Sequence, residues 1–85
     1  MFYVKIYSMV DVPALREGYE EDYTREEEPK LFECLDLLEE SKDLKMVFST
    51  VEQVFDFYHE LKQEIEDLSF SIDFRKGTFY IMVLD

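Results

Sequence analysis

Cysteine, histidine, glycine and proline are all scarce in this chain of 85 residues, which has one, one, two and two of them respectively. With Cys34 alone, no intrachain disulfide can form, and no bridge framework points to an oxidising compartment. With His59 alone, no multi-histidine metal site exists. So few glycines and prolines leave little room for linkers, and no internal repeat is present. The N-terminal Met-Phe-Tyr-Val-Lys-Ile-Tyr lacks the basic region and long apolar run of a signal peptide. No apolar stretch approaches the ~20 residues of a membrane span. These absences lead to the expectation of a cytoplasmic protein with one domain over residues 1–85. Nucleophile elbows and Gly-rich phosphate loops are missing too. Carboxylates are so many that candidate acid/base pairs carry no information. The expectation is a protein that is not an enzyme, with no cofactor and no metal.

What the chain does have is acid, and the acid is segregated. The formal net charge is −12. Eight acidic residues fall between Asp11 and Glu28 against Arg16 and Arg25, and six fall between Val51 and Leu68 against Lys62. From residue 69 onward the chain is neutral, Asp73 and Asp85 balancing Arg75 and Lys76. A field this negative repels nucleic acid and anionic membrane and attracts a basic partner. The chain also has eight Phe and six Tyr, which a disordered acidic tail would lack, so a folded domain is expected. At this size a single core gives only a few kcal/mol of stability, and a partner or a second copy would add to it.

Phe2 to Val10 reads as a strand, with Val4, Ile6 and Val10 on one side and Tyr3, Lys5, Tyr7 and Met9 on the other. Asp11 to Glu28 shows no sustained period, contains Pro13 and Gly18, and is expected as a long acidic loop. Pro29 suits a first helical position. Leu31, Cys34, Leu35 and Leu38 then share a helix face that should end near Ser41. Leu44 to Ser49 is a short strand candidate. Ser49 with Glu52, and Thr50 with Gln53, are two offset capping-box patterns. After them Val51, Val54, Phe55, Tyr58, Leu61, Ile65 and Leu68 keep one helical face. Ser69 to Arg75 alternates, Lys76-Gly77 supplies a turn with Gly for positive φ, and Thr78 to Leu84 is the last strand. The expected architecture is α/β (α+β), a two-layer sandwich. A mixed four-stranded sheet carries two helices on one face, in the chain order β-α-β-α-β-β. Strands one and four are apolar on both sides and suit central positions. The expected sheet order is 2-1-4-3, with the last two strands antiparallel.

Two constellations are candidates for function. On the long helix Glu52, Asp56, Glu60 and Glu64 recur every four residues, about 6 Å of rise each. An exposed helix gains from opposite charges at that spacing and loses a few tenths of a kcal/mol from like ones. The row reads either as a solvated face or as a mimic of a phosphate backbone, the feature from which nucleic-acid-binding proteins draw much of their affinity. In the acidic segment, Tyr19 and Tyr23 are interleaved with Glu20, Glu21, Asp22, Glu26, Glu27 and Glu28. Tyrosine supplies rigid contact area and stacks on Arg or Lys. The same segment reads alternatively as a solubilising loop. It lacks the ligand pattern of an EF-hand calcium loop. These twelve residues are the candidate partner-binding set.

An alternative interface is the sheet face with Tyr3, Tyr7, Tyr80 and Met82, an aromatic patch that would mark an interaction site unless the acidic segment covers it. Cys34 reads as a small buried hydrophobe and His59 as a surface residue. The function expected is that of a small acidic inhibitor. It would occupy a basic, nucleic-acid-binding surface of another protein, as phage anti-defence, immunity and antitoxin proteins do, without binding nucleic acid or membrane itself. The alternative is a structural or regulatory subunit that dimerises or docks through the aromatic sheet face.

Overall fold

The computed structural model describes residues 1–41 and 45–85. Four strands and three helices follow one another as β1 (Phe2–Ser8), α1 (Val12–Asp22), α2 (Pro29–Glu40), β2 (Lys45–Phe48), α3 (Val51–Glu64), β3 (Ser69–Arg75) and β4 (Thr78–Leu84). The strands form one mixed sheet in the order β2-β1-β4-β3, as the apolar character of β1 and β4 implied. β1 and β4 are parallel, and each has an antiparallel edge strand outside it. The two-residue turn between β3 and β4 places both Lys76 (φ 50°) and Gly77 (φ 83°) in the left-handed region. That geometry matches the twist of the flanking strands.

One face of the sheet is the core. Val4 and Ile6 of β1 lie beside Phe79 and Ile81 of β4, and Phe70, Ile72 and Phe74 of β3 continue the same rows. Against them pack Leu31, Phe32, Leu35 and Leu38 of α2, and Val54, Tyr58 and Leu61 of α3. The succession β-α-β-α-β-β is therefore present, with one further helix.

That helix, α1, corrects the expectation of a loop over 11–28. The Asp11 carboxylate accepts from the Ala14 N–H at 3.2 Å and caps the N-terminus. Pro13 fits the first turn, where its missing N–H is not needed. Val12 is buried, and Leu15 and Tyr19 pack partly on the core. These three fall at i, i+3 and i+7, a stripe too narrow to stand out among so many acids. The chain after it turns through Thr24, whose carbonyl accepts from the N–H groups of Glu27 and Glu28.

The long stripe also needs correction at its end. α3 stops at Glu64, and Ile65 leaves helical geometry (φ −109°, ψ 77°). Ile65 and Leu68 still reach the core, but from a turn. Glu60, Glu64, Glu66 and Asp67 crowd this end with negative charge, where the helix dipole favours cations. At the other end the offset capping pairs resolve in favour of Thr50 and Gln53, whose reciprocal bonds are both made. Of the β2 candidate, Leu44 lies outside the described residues. No described helix is long and apolar enough to cross a membrane.

Candidate functional site

The acidic side chains are carried by the helical layer, and the way that layer disposes of its arginines sets its electrostatics. Arg16 of α1 reaches Asp36 of α2 at 3.0 Å and also pairs with Glu39. Arg25, in the connection, meets both oxygens of Asp36 at 3.0 and 3.3 Å and lies over the Phe32 ring. The bond from Arg25 is the main reason the Asp36 carboxyl is held below its ordinary range, with the charges of Arg25 and Arg16 adding to it. The Glu39 bond raises Arg16 further, and the Asp36 bond does the same for Arg25. Arg16, largely buried, thus clamps α1 to α2, and Arg25, still more than half exposed, ties the connection to the same Asp36. Among the described residues Asp36, Glu39 and Asp73 are the carboxylates in ion pairs.

The remaining acids of the helical layer face solvent. Glu20, Glu21 and Asp22 are exposed on α1, and Glu26, Glu27 and Glu28 are exposed in the connection. On α3, Glu52, Asp56 and Glu60 are exposed and Glu64 is half-buried. The column does not stay opposite the buried face. It winds from the outer surface at Glu52 toward α2, so that Glu60 and Glu64 act on Cys34. Burial first, and then those carboxylates, push the Cys34 thiol up to about 12. That removes it as a nucleophile, in keeping with a small buried hydrophobe. His59 is exposed beside the rings of Phe55 and Tyr58.

Where α1, the start of α2 and the end of α3 converge there is an open groove of about 600 Å³. Ala14, Leu15, Gly18 and Leu31 give it an apolar floor. Tyr19, Tyr23, Asp22, Glu28, Gln63, Glu64, Glu66 and Asp67 form its walls and rim. Tyr19 donates to Asp67 at 3.0 Å and ties α1 to the turn after α3. Burial, and then this bond, raise its phenol from 10.0 to about 12. Among the described residues no arginine or lysine lines the groove. An apolar floor under a carboxylate rim suits the alkyl stem and charged head of a lysine or arginine.

The structure therefore brings Tyr19, Asp22, Tyr23, Glu28 and Glu64 of the expected set into one groove. Glu20, Glu21, Glu26, Glu27, Glu52, Asp56 and Glu60 lie outside it, Glu52 at the far end of α3, about 18 Å along the helix from Glu64. Tyr19 is half-buried and engaged with Asp67, so of the two tyrosines Tyr23 is the exposed one. Asp67 and Glu66 were missed because the apolar stripe runs on to Leu68 and assigns them to a helix. The signal available was the clustering of acids where a helix C-terminus is disfavoured.

The alternative residues lie on the opposite layer. Tyr3, Tyr7 and Met82 are exposed and Tyr80 is partly so, with the rings of Tyr7 and Tyr80 stacked at 5.8 Å. α1 packs against α2 in the helical layer and leaves this face open. Comparison with protein-family models, curated proteins and solved structures finds no match.

Proposed function

We propose that this protein binds and blocks a basic, nucleic-acid-binding surface of another protein, in the manner of an anti-defence, immunity or antitoxin protein. The observation that supports this most directly is the disposition of charge in the helical layer. Its two arginines are taken up by Asp36 and Glu39, while the carboxylates of α1, the connection and α3 face outward. A lysine or arginine of the partner would seat in the groove beside Tyr23, with its head among Asp22, Glu28 and Glu64. The winding row Glu52, Asp56 and Glu60 would extend the contact along the partner's phosphate-binding track. Steering by such a field makes association fast and salt-sensitive.

The test is capture of partners from a lysate at low and high salt, followed by competition. Captured proteins should be basic nucleic-acid binders released by salt, and a nucleic acid bound by the captured partner should displace this protein. Reversing charge at Glu52, Asp56 and Glu60 together should slow association. A stable ternary complex of protein, partner and nucleic acid would overturn the reading.

A further inference from the structure

The sheet face turned away from the helices is built unlike the rest of the surface. Val47, Tyr3, Tyr7, Met82 and Leu84 are exposed on it, with Tyr7 52% and Met82 45% accessible. A contiguous apolar patch with a polar rim marks an interaction site. The charged side chains of the described strands are Lys5, Lys45 and Arg75, against Asp73 alone. This is the one layer without an excess of acid, and so the one through which two copies of a chain of net charge −12 can approach.

The register shows how they would fit. One row across the open face runs Lys45, Lys5, Tyr80, Asp73 from edge to edge. The next runs Val47, Tyr3, Thr78, Arg75, and a third pairs Tyr7 with Met82. A twofold axis parallel to the strands, passing between β1 and β4, reverses each row on the facing copy. Lys45 then meets Asp73, Lys5 meets the Tyr80 ring, and Tyr7 meets Met82. A twofold axis across the strands through the first row would instead set Lys45 on Lys45 and Lys5 on Lys5. Only the first arrangement sets opposite charges together: each Lys45 meets an Asp73 that also holds Arg75 of its own chain at 2.7 Å. Tyr3 meets Thr78 and Val47 meets the Arg75 side chain, every contact being made twice as an isologous interface requires.

We infer that the open sheet face is a self-association surface, and that two copies stack there about a twofold axis running along the strands between β1 and β4. Three strands of seven residues and one of four cover at most roughly 19 by 23 Å, which places the contact among small, concentration-dependent interfaces. Both acidic helical layers face outward in this dimer, so it stands whether or not those layers bind a basic partner.

Sedimentation equilibrium of the full chain over a concentration series tests it, with circular dichroism to confirm that each variant is folded. The expected result is a monomer–dimer equilibrium that Met82→Glu shifts to monomer. Lys45→Asp and Asp73→Lys should each weaken association about tenfold, since each breaks both symmetry-related copies of an exposed charge pair. The double variant K45D/D73K should recover most of that loss, because each copy supplies both members of the pair. A protein that stays monomeric throughout, a dimer unmoved by Met82→Glu, or a double variant no tighter than the singles would overturn the inference. So would a labelled single-stranded oligonucleotide that binds the unmodified protein and loses binding on Tyr7→Ala, since stacking tyrosines beside lysines can also serve nucleic acid.

Discussion

Phe32 and Phe55 carry the same side chain and differ in what surrounds it. Phe32 is 1% accessible and lies in the core beneath the Arg25 guanidinium. Phe55 is 36% accessible and touches the edge of Phe79 from the rim of the helical layer. Phe32→Ala should cost about 3–5 kcal/mol, a large part of the stability a chain of this length holds. Phe55→Ala should cost about 1–2 kcal/mol, since much of its surface stays in water in the folded state. Thermal melts of the two variants check this: the first should lose most of its cooperative transition, and the second should keep it at a modestly lower midpoint. Equal losses would refute the assignment of burial. The apolar stripe of α3 placed both Phe55 and Tyr58 on one face, and only the second is buried. The helix is rotated so that Phe57 turns toward Phe48 of β2. That rotation is set by the sheet beneath, which a helical period alone does not contain.

Elements with wide apolar stripes or strict alternation were legible in the sequence: α2, β3 and β4 lie where periodicity puts them, α3 and β1 begin there and end earlier, at Glu64 and Ser8, and the order of the sheet followed from which strands are apolar on both sides. α1 was not legible, for a reason that yields a prediction. Its stripe has three members, and Gly18 in its middle lowers its intrinsic helicity. Gly18 is in the helical interior without positive φ, and a Cβ built there meets nothing within 4 Å. Gly18→Ala should therefore stabilise the protein by about 0.5–1 kcal/mol, through the unfolded chain's lost freedom and the helix's gained propensity. A denaturant midpoint moving upward with an unchanged slope is the expected reading. A lower midpoint would mean that α1 is not helical at this position. The groove was half-legible in the same way. Its tyrosines and most of its acids stood out as types, while their convergence depends on α1 being a helix and on α3 ending at Glu64.

At the scale of the whole molecule the two layers divide the chemistry: acid and groove on the helices, aromatic and weakly basic character on the open sheet. The net charge of −12 acts on the helical layer as self-repulsion, because among the described residues few of its carboxylates are in ion pairs. Salt screens exposed charges beyond about 8 Å at physiological ionic strength. Sodium chloride should therefore raise the melting temperature of the free protein, since repulsion within the folded layer outweighs the Arg16–Asp36–Arg25 clamp that the same salt weakens. Binding to a basic partner should move the other way, with the dissociation constant rising over the same range, because there the screened interaction is attractive. The opposite signs separate the two roles of the acid. A melting temperature that falls with salt would show that the carboxylates stabilise the fold through a network. A partner affinity indifferent to salt would take the helical layer out of the interface.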